Sequence, residues 1–60
     1  MIPAKYPIDC MVLVHCLRFG LDNVWARVVR VPPENDFEDR IIELDGYRYR
    51  IHISCIVRSR

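Results

Sequence analysis

The clearest pattern in the chain is a strict alternation of apolar and polar side chains over residues 47–53. The apolar members are Tyr47, Tyr49, Ile51 and Ile53, and the basic members between them are Arg48, Arg50 and His52. A period of two predicts a β-strand, because successive side chains of a strand point to opposite faces of the sheet. One face of this strand is therefore expected to be buried and the other to meet solvent.

A hairpin is predicted immediately before this strand. Asp45-Gly46 separates residues 40–44 from residues 47–53, and this dipeptide readily adopts the positive φ angles that both central positions of a type I′ turn require. Two-residue loops of this type join antiparallel strands and fix their register. Residues 40–44 and 47–53 are therefore expected to pair.

Residues 10–19 form an almost continuous apolar run that ends at Gly20. The run contains the β-branched residues Val12 and Val14 and has the length of a strand, so a strand is the preferred interpretation. As a strand it places Val12 and Val14 on one face, and Met11, Leu13, Leu17 and Phe19 on the other. Both faces would then need cover, one from the core and the other from the N-terminal arm or a second subunit.

Another strand is predicted over residues 24–31, after the turn-forming residues 20–23. Its apolar side chains Val24, Ala26 and Val28 alternate with Trp25, Arg27 and Val29. Pro32-Pro33 ends this strand, because proline has no backbone N–H to donate to a neighbour. After the hairpin, Ser54-Cys55 predicts a brief turn and Ile56-Val57 a last short strand.

This order of elements predicts an all-β fold, a small antiparallel barrel of four or five strands. Over residues 9–58 the order of strands, acidic loop, hairpin and brief turn resembles the Src-homology-3-like barrels. The resemblance is one of architecture, since the aromatic cluster of the peptide-binding members is not found in the sequence. The alternative is an α+β fold, in which residues 10–19 form a helix across a three-stranded sheet.

Length and composition indicate one domain, residues 1–60, with an extended arm at 1–8 and a basic tail at 59–60. A chain this short buries only about 60% of the surface that it exposes when unfolded, so its stability is expected to be marginal. Hydrophobic residues nevertheless make up 52% of the chain. Some of them are expected to lie on an exposed face, which favours self-association into a homo-oligomer.

The formal net charge is only +1, but the two signs are separated along the chain. The two segments of opposite charge predict an acidic contact loop and a basic contact face, and each is a candidate binding site. The acidic residues are Glu34, Asp36, Glu38 and Asp39, and the basic residues are Arg27, Arg48, Arg50, His52, Arg58 and Arg60. Arginine predominates over lysine, and its guanidinium group suits bidentate contacts with phosphate or carboxylate.

The chain has three cysteines, Cys10, Cys16 and Cys55, and no apolar segment typical of a secretion signal or a membrane span. A cytoplasmic location with reduced thiols is therefore expected. His15, Cys16, His52 and Cys55 are residue types that bind zinc, but their spacing is unlike that of structural zinc sites. The preferred interpretation is that the cysteines are small core residues, and no metal or cofactor is expected.

No motif in the sequence indicates catalysis, and a chain of 60 residues has little room for a substrate pocket. The function expected first is therefore a non-catalytic module that binds another protein, as a regulator or inhibitor of the kind that phages and mobile elements encode. The main alternative is a small barrel that binds nucleic acid through its arginines, with Trp25 or Tyr49 as a stacking platform. An enzyme or a metal-site protein is the least favoured class.

Overall fold

Five antiparallel strands form a single sheet in the computed structural model, which describes residues 5–33 and 38–60. The strands are β1 (Met11–Cys16), β2 (Leu21–Arg30), β3 (Asp39–Leu44), β4 (Tyr47–His52) and β5 (Ile56–Ser59). Their order across the sheet is β4-β3-β2-β1-β5, so β4 and β5 lie at opposite edges. The sheet is not closed, and the fold is compatible with a small barrel.

The all-β prediction is therefore confirmed, and the α+β alternative is wrong. Residues 11–16 form a strand, no α-helix occurs in the described ranges, and single turns of 3-10 helix lie at Leu17–Phe19 and Ile53–Cys55.

The core lies on the inner face of the curved sheet, where alternate side chains of neighbouring strands meet. Its buried apolar members are Val12, Val14, Cys16, Leu21, Ala26, Val28, Ile42, Ile51 and Ile56. Val12 lies opposite Ala26 and Val14 lies opposite Val24, as the predicted alternation requires. Burial of these side chains is the main force that holds the sheet in its curved form.

The first reversal of the chain occurs earlier than the sequence predicted. β1 ends at Cys16, and the 3-10 turn Leu17–Phe19 is closed by Gly20, whose φ is +70° and whose N–H donates to the carbonyl of Leu17 at 3.0 Å. The prediction that Leu17 and Phe19 continue the strand is therefore wrong. A glycine at the C-cap favours this ending, because it adopts the left-handed conformation without strain.

The predicted turn at residues 20–23 lies largely within β2, which begins at Leu21. Cys16 pairs with Leu21 and Val14 with Val24, so β2 carries one extra residue between these two pairs. Asn23 has a φ of +53° at this bulge. Its tolerance of positive φ therefore serves a bulge in the strand and not the chain reversal.

The β3–β4 hairpin is confirmed in detail. Asp45 and Gly46 have φ angles of +52° and +83°, as a type I′ turn requires, and Leu44 pairs with Tyr47. Ile51 is buried as predicted, but Tyr47 is 69% exposed because it lies at the turn end of the hairpin, beyond the core.

The predicted brief turn and last strand are also found. The second 3-10 turn, Ile53–Cys55, begins after His52, whose Nδ1 accepts the Ser54 N–H at 3.1 Å. β5 then runs to Ser59, two residues beyond the predicted strand, and the Arg60 N–H donates to the Met11 carbonyl at 3.0 Å. The basic tail is therefore attached to the edge of β1.

The described part of the N-terminal arm, which begins at Lys5, bends and turns before it reaches β1. Tyr6 and Asp9 have positive φ angles of 55° and 74°. The Asp9 N–H donates to the Val28 carbonyl at 2.7 Å, and the Val28 N–H donates to the Cys10 carbonyl at 2.9 Å. The arm is thus joined to β2 before β1 begins.

Arg40 holds the arm from the inner face of β3, where an apolar residue would be expected. Its side chain is buried, with 1% of the residue exposed. Its Nε donates to the carbonyls of Lys5 and Tyr6 at 3.0 Å each, and its Nη1 donates to the carbonyl of Asp39. Burial lowers the pKa of the Arg40 guanidinium, and the neighbouring Asp39 carboxylate acts in the opposite direction.

Replacing Arg40 should therefore release the arm. We expect Arg40→Met to lower the free energy of unfolding by about 2–3 kcal/mol, because charged donors to several carbonyls are lost. Trypsin should also cleave the variant faster after Lys5. Arg48→Met is the matched control, because Arg48 is exposed and its loss should change stability by about 0.5 kcal/mol or less. Urea unfolding and limited proteolysis measure both effects, and equal behaviour of the two variants would contradict the role of Arg40.

Candidate functional site

A row of alternating charges crosses the outer face of the sheet from β2 to β4. Arg27 on β2 pairs in register with Glu43 on β3, which pairs with Arg48 on β4. The Glu43 carboxylate lies 3.5 Å from Nη2 of Arg27 and 3.4 Å from Nε of Arg48. Asp9 lies at the other side of Arg27, with its Oδ1 3.3 Å from Nη1.

A second set of opposite charges lies at the other end of the β3–β4 pair, away from the hairpin turn. The Arg50 Nε donates to Oδ2 of Asp39 at 2.8 Å. His52 pairs in register with Asp39, and its Nε2 lies 3.6 Å from Oε2 of Glu38. Its Nδ1 accepts the Ser54 N–H, so the Nε2 side of the ring faces the carboxylate.

These two sets form one surface, which we call the charge-paired face: Asp9, Arg27, Glu38, Asp39, Glu43, Arg48, Arg50 and His52. It contains four of the six residues of the predicted basic contact face, together with two of the four predicted acidic residues. The remaining acidic residues, Glu34 and Asp36, lie outside the described residues. The separation of charge along the sequence thus becomes a mixture of charges in space, because the hairpin pairs an acidic strand with a basic one.

Arg58 and Arg60 lie apart from this face, at the β5 edge of the sheet. Arg58 pairs in register with Leu13 on β1, which pairs with Trp25 on β2. The guanidinium carbon of Arg60 lies 4.3 Å from the centroid of the Trp25 ring, and that of Arg58 lies 5.9 Å from it. Within residues 5–33 and 38–60, the structure shows no ion pair for either arginine. The structure therefore divides the predicted basic contact face into two parts.

An apolar surface lies where the β1–β2 turn meets the start of β4. The rings of Phe19 and Tyr49 are in contact, with centroids 5.5 Å apart and planes at 47°. Leu17 belongs to the same 3-10 turn as Phe19, and Tyr47 lies two residues from Tyr49 on the same side of β4. Leu17 and Tyr47 are 72% and 69% exposed. We call this surface the aromatic end: Leu17, Phe19, Tyr47 and Tyr49.

The aromatic end was missed by the sequence analysis. A straight strand over residues 10–19 would have placed Leu17 and Phe19 on the outer face, far from Tyr49. The signal that indicates otherwise is Arg18-Phe19-Gly20, a polar interruption followed by a residue that often ends a helical turn. Arg18 lies over the ring of Phe19, 5.6 Å from its centroid, and adds a positive charge to the aromatic end.

The histidines and cysteines considered as zinc ligands lie in different surroundings. His15 is on the outer face, with its Nδ1 3.1 Å from Oδ1 of Asp22. Cys16 points into the core beside Cys55, and burial, together with a hydrogen bond to Cys16, raises the pKa of the Cys55 thiol. Cys10, Cys16 and Cys55 are all free thiols. Among the described residues, no three His, Cys, Asp or Glu side chains are grouped so that they could hold a metal ion.

Comparison with known protein families, with curated protein sequences and with solved structures gives no match to this chain. The described ranges contain no helix of the length and apolar character needed to cross a membrane. The function must therefore be argued from the surfaces themselves.

The ion pairs of Glu43 should stabilise the fold weakly and in a salt-dependent manner. We expect Glu43→Gln to lower the free energy of unfolding by about 0.5–1 kcal/mol at low salt, because two exposed pairs are lost. In 1 M NaCl the loss should shrink to less than about 0.3 kcal/mol, since charges are screened within about 3 Å. Asp45→Asn, which removes an acid in the exposed turn, is the control. A loss for Glu43→Gln that does not depend on salt in urea unfolding would contradict the charge-paired description.

Proposed function

We propose that the chain is a non-catalytic binding module that contacts another protein through its aromatic end. The observation that carries this proposal is the contact between Phe19 and Tyr49, whose near neighbours in the chain, Leu17 and Tyr47, are strongly exposed. Of the five large hydrophobic residues that are exposed in the described part of the chain, Leu17, Phe19 and Tyr47 belong to the aromatic end. The other two, Ile8 and Val57, lie elsewhere in the chain.

The energetics of this surface favour a protein partner. Full burial of a leucine or a comparable apolar side chain contributes about 1.5–3 kcal/mol. Leu17 and Tyr47 are about seven-tenths exposed in the isolated chain, so most of that energy is available on binding. Tyrosine and phenylalanine are enriched in the central parts of protein interfaces, where they combine a large apolar area with few rotatable bonds.

The charge-paired face supports the same conclusion. A surface that binds a phosphate backbone needs cations whose charge is not already neutralised. Arg27, Arg48 and Arg50 each face a carboxylate within 3.5 Å, so this face presents little net positive potential. Such a mixed surface suits solubility, or the polar rim around an apolar contact.

A module of this size would act by covering a surface of its partner, as small regulators and inhibitors do. The partner is a different protein, and an exposed apolar surface also favours self-association between copies of the chain. We further propose a reducing, cytoplasmic setting, which the three free thiols support.

The proposal is tested by photocrosslinking followed by affinity measurement. A benzophenone side chain is introduced at position 17 or 47 of the full chain, and at position 57 as the control. We expect positions 17 and 47 to capture the same protein and position 57 to capture none. With that protein purified, Leu17→Ser and Tyr47→Ser should each weaken binding about tenfold, the equivalent of 1.4 kcal/mol.

Val57→Ser is the matched control for affinity, because Val57 is also exposed and apolar but lies on β5. It should leave binding unchanged. All three substitutions are at exposed positions and should change the free energy of unfolding by about 0.5 kcal/mol or less, which thermal unfolding checks. Equal weakening by all three variants, or no captured protein at positions 17 and 47, would contradict the proposal.

A further inference from the structure

Trp25 on the central strand β2, Arg58 on β5 and Arg60 just after β5 form a compact group on the outer face of the sheet. Three strands, β1, β2 and β3, lie between β5 and β4. With strands about 4.8 Å apart, Arg58 and Arg48 are separated by about 19 Å across the sheet. Arg27 lies two residues from Trp25 on the same face of β2, so the group adjoins the charge-paired face there. Its own two arginines differ from those of that face, because they contact a ring and not carboxylates.

The two arginines of this group remain available to an anion. Each guanidinium contacts the Trp25 ring through a cation–π interaction, and no carboxylate of the described residues lies within ion-pairing distance of it. A guanidinium that lies over a ring still has N–H groups at its edge, and these can donate to an oxyanion. The ring thus orders the cations without neutralising their charge.

From this arrangement we propose that Trp25, Arg58 and Arg60 form a contact site for single-stranded nucleic acid. Phosphates would accept hydrogen bonds from the guanidinium edges, and a base would stack on the indole or on a guanidinium plane. Arg58 and Arg60 are alternate residues of an extended segment, about 6.6 Å apart along the chain. This spacing is comparable to that of successive phosphates in an extended single strand.

A nucleotide matches the site better than an acidic peptide segment. Leu13 lies between Arg58 and Trp25 in the register of the sheet. A carboxylate would accept hydrogen bonds from the guanidinium groups, but it would leave Trp25 and Leu13 without an apolar partner. A nucleotide supplies both a phosphate and a flat ring in one unit. A duplex would not suit the site, because its bases are stacked on one another and their faces are not accessible.

The site can be observed directly, because Trp25 is the single tryptophan of the chain. We expect a short oligothymidylate to quench the fluorescence of the full chain in a saturable manner at low salt. If two phosphates are neutralised, the logarithm of the association constant should fall against the logarithm of salt concentration with a slope of about −1.4. The proposal does not depend on the aromatic end, so its failure would leave the proposed protein contact unaffected.

Two charge-matched double variants make the test specific. Arg58→Gln combined with Arg60→Gln should weaken oligothymidylate binding at least about tenfold and bring the salt slope near zero. Arg48→Gln combined with Arg50→Gln removes the same charge from the charge-paired face and should change the affinity less than about twofold. In an anisotropy assay with labelled oligothymidylate, Trp25→Leu should also weaken binding, because base stacking on an aromatic ring is lost. Circular dichroism confirms that each variant is folded.

Three results would overturn the proposal. The first is absence of quenching by oligothymidylate at low salt. The second is equal weakening by the two double variants, which would indicate a general charge effect and no defined site. The third is equal or stronger quenching by hexaglutamate that is lost in the Arg58→Gln and Arg60→Gln variant, which would assign the site to an acidic protein segment.

Discussion

The pairing of β3 with β4 is the interaction on which the surface chemistry of this chain depends. The type I′ turn at Asp45-Gly46 fixes a register in which Glu43 faces Arg48 and Asp39 faces His52. A shift of one residue would move the charged side chains of β4 into the core and its apolar ones into solvent. The register therefore sets both the burial of Ile51 and the pairing of Arg48 and Arg50 with carboxylates of β3.

Local sequence signals predicted the parts of the fold that local physics determines. The alternation over residues 47–53 and the Asp45-Gly46 turn gave the hairpin, because side-chain period and backbone φ preference act over neighbouring residues. The end of β1 was misplaced for the same reason. In the sequence, Leu17 and Phe19 look like a continued strand. In the structure, Phe19 in the 3-10 turn contacts Tyr49, thirty positions later in the chain, and this long-range contact cannot be read from the local pattern. The buried Arg40 was likewise not foreseen, since its partners are backbone carbonyls of the distant arm.

The candidate sites were harder to predict because the order of charged residues along the sequence does not show which charged side chains become neighbours in the folded sheet. In the sequence, Arg48, Arg50, Arg58 and Arg60 form one basic segment, and Arg27 was added to the same predicted contact face as an outlier. The structure separates them by their partners: Arg27, Arg48 and Arg50 lie beside carboxylates, whereas Arg58 and Arg60 lie over the ring of Trp25. The proposed protein contact at the aromatic end and the proposed nucleic-acid contact at Trp25 are therefore compatible, since they use different side chains.

The central claim is that the aromatic end, and not the charge-paired face, meets the protein partner. It is tested most directly by recording side-chain and amide NMR spectra of the labelled chain with and without the purified partner. The account predicts that the largest shifts and the strongest protection fall on Leu17, Phe19 and Tyr47, while the signals of Arg27, Asp39 and Arg50 change little. The largest changes on Arg27, Asp39 and Arg50, with Leu17 and Tyr47 unaffected, would contradict it.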